Sequence, residues 1–394
     1  MKSIKGVSFY NSRVIVRCDF NVPKVRLSSG KTIVDPFKIE SCLKTVNYLK
    51  NSGAKIILIS HFGRPLEKRR RVRRKNYSLI FLKETIEKVF GQKIIFSEKI
   101  FGKALQMKIK KMKPGQIILL ENLRFKKGEE ENSKAFAQKL AALADSYVNE
   151  AFSVCHRQHA SIVSLPKLLP AFAGIQLQEE IEALSKILKR PKKPLVVVVG
   201  GSKTYSKLKM VKPLLKTSAH ILFGGKISRD ILTVKGISIG PAWPDEKSRN
   251  IIEKIDITNP KIHLPVDVVV SPNAAGNLYV RETAPGSVRK EEDIFDIGEE
   301  TIKTFSKIIR IGRTIFWCGP LGFFENKKFS KGTEKIAKAI AGCGNAFKVA
   351  GGGSTISAIR SFGLADKYSF LSAGGGAMLA FLSGEKLPGI EALE

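Results

Sequence analysis

The chain has 394 residues, 43% of them apolar, and carries 68 Lys and Arg against 35 Asp and Glu for a formal net charge of +33. That length exceeds one ordinary hydrophobic core and makes two domains the expectation, and the apolar share is that of a globular protein. No apolar run approaches the roughly 20 residues of a membrane span. No hydrophobic segment with a small-residue cleavage site opens the chain, and the five scattered cysteines lack any C-x-x-C spacing. A cytoplasmic protein with reduced thiols, and neither a disulfide framework nor a zinc site, is therefore expected.

In chain order, short β-branched runs at 13–16, 55–60, 116–120 and 146–148 predict strands, separated by helical patterns at 39–51, 78–90 and 133–144. A charged amphipathic stretch at 176–189 runs into Arg190-Pro191-Lys192-Lys193-Pro194, whose prolines break the pattern, so this helix is placed as a connector between two sheets. Strands follow at 195–199, 219–223, 267–270, 313–316 and 346–350. Strand and helix alternating from end to end predict α/β architecture with mostly parallel sheets. Only residues 68–75 (K-R-R-R-V-R-R-K) form a dense basic block. It reads first as a solvated surface loop, then as steering of anionic substrates, and last as a site for nucleic acid or an acidic partner.

Open parallel sheets bind ligands beyond the carboxyl ends of their strands. In the first half those ends are Arg17-Cys18-Asp19-Phe20-Asn21, Ser60-His61-Phe62-Gly63-Arg64, Glu121-Asn122-Leu123-Arg124 and the run Ala151 to His159 with His156 and Arg157. Arginine at four successive strand ends, with His61, His156 and His159 among them, suits a small and highly anionic ligand, because guanidinium forks grip carboxylate and phosphate bidentately. In the second half three apolar runs empty into glycines and then into helical patterns: Gly200-Gly201-Ser202-Lys203, Gly351-Gly352-Gly353-Ser354 and Gly374-Gly375-Gly376-Ala377. Glycine lets backbone amides approach an anion, and a helix N-terminus adds unmatched N–H donors. Lys203 and Lys207 stand one helical turn apart and can face a transferring phosphoryl group together. Glu325, after Trp317-Cys318-Gly319-Pro320, can accept hydrogen bonds from ribose hydroxyls. Neither a P-loop nor a G-x-G-x-x-G dinucleotide fingerprint is present, which sets aside a dinucleotide-dependent dehydrogenase.

Together these motifs resemble the phosphoglycerate kinase family. The resemblance runs from Arg17-Cys18-Asp19-Phe20-Asn21-Val22-Pro23 through 60–65, 119–125, 155–161, 200–207, 264–270, 317–325, 351–355 and 372–377, and closes with Leu387-Pro388-Gly389-Ile390-Glu391-Ala392-Leu393. It implies two Rossmann-like α/β domains with parallel sheets, joined by a helix, with a cleft between them. These would be a phosphoglycerate-binding domain at 1–172 with the tail 378–394 returning to it, a linker helix at 173–192, and a nucleotide-binding domain at 193–377. It further implies a monomer that transfers a phosphoryl group between 1,3-bisphosphoglycerate and ADP with Mg2+, a step of glycolysis.

By the same resemblance Arg17, Asp19, Asn21, His61, Arg64, Arg124, His156 and Arg157 hold the phosphoglycerate. Lys38, Lys203 and Lys207, with the amides at Gly352 and Gly375, stabilise the moving group. Gly201, Lys207, Gly225, Pro320, Glu325, Gly351, Gly352, Gly353 and Ser354 line the nucleotide site. The chain departs from the family pattern at Lys38 for arginine, Ser206 and Ser354 for aspartate, Cys318 for asparagine and Ala373 for threonine. Gly224-Gly225-Lys226-Ile227 likewise stands for G-G-G-M. Ser354 falls where the family's aspartate meets the metal, leaving phosphates and water to hold it. The alternative to an active kinase is a non-catalytic relative that binds nucleotide, phosphoglycerate or a polyanion.

Overall fold

A computed structural model describes residues 1–22, 24–26, 32–66, 74–238 and 243–394. Pro23 and residues 68–73 of the basic block lie outside the described residues. The chain divides into two compact units, Met1–Ile181 with Lys386–Glu394, and Glu182–Glu385. The boundary falls inside one continuous helix, Ile175–Lys189.

The first unit is built on six parallel strands, β1 (Arg13–Arg17), β2 (Lys55–Ile59), β3 (Ile95–Ser97), β4 (Ile117–Leu120), β5 (Ser146–Asn149) and β6 (Ala171–Ala173), in the order β3-β4-β2-β1-β5-β6. Strands covered by helices on both faces need apolar side chains on both, and Val14, Ile15, Val16, Ile56, Ile57, Leu58, Ile117, Ile118 and Leu119 are all buried. One face packs on Val46 and Leu49 of the helix Leu43–Asn51 and on Ile86 of the helix Lys83–Phe90. Each such aliphatic side chain contributes about 1.5–3 kcal/mol by leaving water. The strand order reverses at β1, which pairs with β2 on one side and β5 on the other, so Arg17 lies in register with Ile59 and with Asn149. That reversal opens a crevice at the carboxyl end of β1.

The second unit carries β7 (Leu195–Val199), β8 (His220–Phe223), β9 (Ile262–His263), β10 (Val268–Ser271), β11 (Arg281–Thr283), β12 (Asp293–Ile297), β13 (Thr314–Cys318), β14 (Phe347–Gly351) and β15 (Phe370–Ser372). Six of them form a parallel sheet in the order β9-β8-β7-β13-β14-β15. Its reversal lies between β7 and β13, where Val199 is in register with Cys318. Val196, Val198, Ile315 and Trp317 pack there against Phe305, Ile309, Ile336 and Ile340.

Three features differ from the sequence expectation. The run at 267–270 does not join the parallel sheet; β10 pairs antiparallel with β11 and β12 in a separate sheet. The edge strands β3 and β6 are three residues each, too short to show a period. The helix Gly375–Leu382 groups with the second unit, so only Lys386–Glu394 of the expected tail 378–394 belongs to the first.

Candidate functional site

In the first unit the strand ends gather a cationic cluster held by a few buried acids. Arg17, expected to grip the ligand, is completely buried and engaged within the protein on all three nitrogens. Nε donates to Ser161 Oγ at 2.9 Å, one terminal nitrogen donates to the Cys18 carbonyl at 2.5 Å, and the other lies 3.2 Å from His61 Nδ1. A guanidinium has no acceptor, so His61 Nδ1 must accept and the ring proton sits on Nε2. Burial, then the Arg17 charge, holds His61 well below its ordinary basicity, and it is a neutral donor at pH 7. Arg17 thus sets the tautomer of its neighbour and adds to burial in keeping it neutral.

The acids that balance Arg17 are those sequence reasoning missed. Glu129 is fully buried, accepts from Ser161 N–H at 3.0 Å and Ser161 Oγ at 2.6 Å, and lies 3.9 Å from both Arg17 and His159 Nδ1. Its run, Gly128-Glu129-Glu130-Glu131, reads as solvated charge, and nothing in it marks the one acid that turns inward. Burial first, then the charges of Arg124, Arg17 and Arg157, lowers His159 to about 3.

Asp19 follows the same logic with opposite sign. Burial disfavours its charge, but Lys38 beside it and hydrogen bonds from Lys38 and Ser153 outweigh that and hold the carboxyl well below the usual range. Lys38 Nζ is 2.6 Å from Asp19 Oδ2 and 3.1 Å from the Asn21 carbonyl, and Ser153 Oγ donates to Asp19 at 2.5 Å. Asn21 Oδ1 accepts from Gly63 N–H at 3.0 Å, and Arg124 donates to the Gly63 carbonyl at 2.8 Å. Gly63 has φ +58, and a Cβ there would meet the Tyr77 ring, so only glycine fits that junction. Burial lowers Arg124 to about 10, with Glu130 at 3.1 Å working against the shift. Asn122 braces the loop, accepting from Phe62 and Arg124 N–H and donating to the Phe62 and Tyr77 carbonyls. Arg64 is exposed, and His156 and Arg157 are half-buried on the loop after β5.

In the second unit the glycine-rich turns divide into two kinds. Gly200, Gly225 and Gly319 are spent on packing loop against loop. Gly200 N–H donates to the Cys318 carbonyl at 3.0 Å, Gly201 N–H to Pro320 at 2.7 Å, and Gly225 N–H to Leu321 at 2.8 Å. A Cβ on Gly225 would lie 2.8 Å from Gly201 N, and one on Gly319 would overlap the Gly200 carbonyl. Gly353 and Gly375, by contrast, have open space where a Cβ would project. Gly353 opens the helix Gly353–Ser361 and Gly375 the helix Gly375–Leu382. Free amides at helix starts are the arrangement that receives phosphate.

Lys207 is buried in the helix Thr204–Thr217, and its ammonium donates to the Gly200 carbonyl at 2.5 Å. Burial, with the Lys203 charge adding to it, holds its basicity below the ordinary value. Lys203 occupies the N-cap and is exposed, as are Ser206, Glu325 and Ser354. Cys318 is buried and burial pushes its thiol up. Lys226 pairs with the buried Asp230 at 2.5 Å, where Thr204 Oγ1 also donates at 2.6 Å. Among the described residues no group of three or more His, Cys, Asp or Glu is placed to hold a metal ion. With a serine at 354, these donors fit a cation that arrives on nucleotide phosphates rather than one caged by protein oxygens.

Comparison with known proteins agrees with this geometry. The family model described as phosphoglycerate kinase matches residues 4–385. A phosphoglycerate kinase of Wolbachia pipientis (subsp. Culex pipiens, strain wPip) is 39% identical over 402 residues, covering 98% of each chain. One of Borrelia turicatae is 38% identical over 398 residues, covering 100% of this chain and 99% of its own. Solved phosphoglycerate kinases superpose on nearly the whole chain: that of Coxiella burnetii with a TM-score of 0.81 at 35% identity, over 99% of this chain and 98% of its own, and that of Pyrococcus horikoshii with 0.86 at 30%, over 100% and 98%. A neutral histidine and arginines at the strand ends of one sheet, open amides at the helix starts of another, and full-length kinship at this identity lead to one assignment: the chain belongs to the phosphoglycerate kinase family.

Proposed function

We propose that the chain transfers a phosphoryl group reversibly between the carboxyl group of 3-phosphoglycerate and the terminal phosphate of ADP, with magnesium entering as part of the nucleotide substrate. The observation that carries this reading is the set His61, Arg64, Arg124, His156 and Arg157 beyond the carboxyl ends of three parallel strands, braced from within by Arg17 at the end of a fourth and by Glu129 and Asn122. His61 through Nε2 and the guanidinium groups of Arg64, Arg124 and Arg157 offer only donors to an incoming anion, His156 adds a further ring nitrogen, and Asp19 and Asn21 can meet its hydroxyl group.

In the forward direction the bond from phosphorus to the acyl oxygen breaks, and one to a β-phosphate oxygen of ADP forms. No protein nucleophile is needed, because such transfers are driven by positioning and by charges aimed at the moving group. Lys38 supplies a point charge beside the carboxyl, without the fork an arginine would offer. Lys203 and Lys207 meet the transferring oxygens, and the amides at Gly352, Gly353 and Gly375 take the phosphates. Ser354 gives a neutral hydroxyl near the cation. Gly201, Gly225, Pro320 and Gly351 shape the pocket wall, and Glu325 takes the ribose.

Retention of both lysines favours turnover over a binding-only role. No helix among the described residues is long and apolar enough to cross a membrane, and a cytoplasmic monomer is part of the reading. The test is ATP consumption with 3-phosphoglycerate and magnesium in a coupled assay. Turnover no higher than that of a Lys203→Ala, Lys207→Ala double variant would sink it.

A further inference from the structure

Glu150 is a buried acid that the proposed chemistry does not use, and it stands where the cationic cluster meets the start of the helix Ile175–Lys189. Its backbone N–H donates to the Arg17 carbonyl at 2.9 Å, continuing the pairing of β5 with β1. Its side chain reaches the helix. Oε1 accepts from Thr45 Oγ1 at 2.7 Å and from Gln176 N–H at 3.0 Å, and Thr45 Oγ1 accepts from Ile175 N–H at 2.8 Å. The first turn of a helix leaves its N–H groups without internal partners. Here two of them are met by side chains brought from β5 and from the helix Leu43–Asn51. Gly174 makes the approach possible, since a Cβ there would overlap Glu150 Oε2 and crowd the Asn149 carbonyl at 3.2 Å. The residue after Glu150 opens the loop that carries Ser153, His156 and Arg157.

We propose that Glu150 is a positioning residue: by tying the strand end at Arg17, the loop 151–157 and the first turn of the helix Ile175–Lys189 together, it makes the anion-binding loop and the helix start move as one piece. The role in turnover rests on the phosphoglycerate kinase reading; the mechanical coupling does not.

The protonation state fits this role. Burial pushes the carboxyl up to about 8, against the hydrogen bonds from Thr45 and from the Gln176 and Leu177 backbone. It is therefore mostly protonated at pH 7, with Oε2 buried and without a hydrogen-bond partner. The titratable groups facing it are Glu179 on the helix and the Cys42 thiol. Lys44, the nearby cation of the helix Leu43–Asn51, is held by Glu179 at 2.6 and 2.8 Å. Ionisation above about pH 8 thus adds a buried negative charge beside that of Glu179.

Hydrogen exchange of the amides at 151–157 and 175–178, together with steady-state kinetics, tests the coupling in Glu150→Ala, Glu150→Gln and Thr45→Val. Glu150→Ala should speed exchange in both segments together and raise KM for 3-phosphoglycerate about tenfold, leaving the nucleotide KM within about twofold. Glu150→Gln, which keeps the acceptor and cannot ionise, should restore both and remove the inflection near pH 8 from the kcat/KM profile. Thr45→Val, which stays apolar and buried, should reproduce the effect in milder form and keeps the test decisive if the alanine variant does not fold. Faster exchange confined to 175–178, with 151–157 unchanged, overturns the proposal. Absence of turnover in the unaltered protein overturns the kinase reading alone, and the exchange arm still decides the coupling.

Discussion

The ammonium of Lys38, the more exposed partner of the two, lies 2.6 Å from Asp19 Oδ2. Lys38 keeps Asp19 ionised in a place where burial alone would neutralise it. Removing it in Lys38→Ala leaves a buried carboxyl to choose between charge and proton. A hydrogen bond to a charged group is worth about 1.5–3 kcal/mol, so KM for 3-phosphoglycerate should rise about tenfold to a hundredfold. The Asp19 carboxyl should titrate higher by NMR. Lys38→Arg should recover most of the loss, and equal kinetics in all three proteins would show that the pair is idle.

Glu129 should matter for stability more than for chemistry. It is buried with Arg17, and taking away one partner of a buried charge pair costs about 3–5 kcal/mol. Glu129→Gln should lower the unfolding free energy by that order, read as a lower urea midpoint with the slope unchanged. Ser161→Ala, which removes only the bridging hydroxyl, should cost about 1 kcal/mol.

Acid sensitivity has a defined sign. His159 is lowered to about 3 in the folded chain, against 6.5 when free. Between those values the unfolded chain binds a proton that the folded chain refuses, so stability present above pH 6.5 is lost as pH falls toward 3. His159→Gln should flatten stability against pH across that window. An unchanged slope, measured by urea midpoints at pH 4, 5, 6 and 7, would exclude His159 as its source.

Two glycine substitutions should separate packing from binding. Gly319→Ala puts a Cβ into the Gly200 carbonyl at φ +99, and should destabilise the second unit by about 2 kcal/mol or more. Gly353→Ala meets nothing within 4 Å, so the unfolding midpoint should hardly move. It narrows the approach to the helix amides, and KM for the nucleotide should rise several-fold. Equal stability losses in both variants would refute the distinction.

The alternation of strands and helices and the residues beyond the strands were legible because each rests on local pattern, whereas the strand order, and with it the reversal point of each sheet, is set by packing between distant segments. Roles within the cluster were not legible either. Arg17 and Arg124 end apolar runs in the same way as an exposed arginine would, and whether such a side chain turns inward depends on an acid such as Glu129, far away in the chain. The glycines misled for a related reason. Gly200 and Gly353 both belong to glycine runs that follow apolar strands, but a neighbouring loop demands one and leaves open space beside the other. The sheet β11-β10-β12 escaped because Val268–Ser271 is as apolar as the strands of the parallel sheet, and nothing in its composition reports the direction of its partners.

The contact between Gly200 and Gly319 is reciprocal: a Cβ on either would run into the backbone of the other's loop. A change at one position cannot be relieved by a change at the other, because both collisions are with main chain. No order of single substitutions leads smoothly away from this pair. The exposed side chains of Ser206 and Ser354 meet no such main-chain barrier, so substitution there can change the polarity of the loops while their backbone course stays fixed.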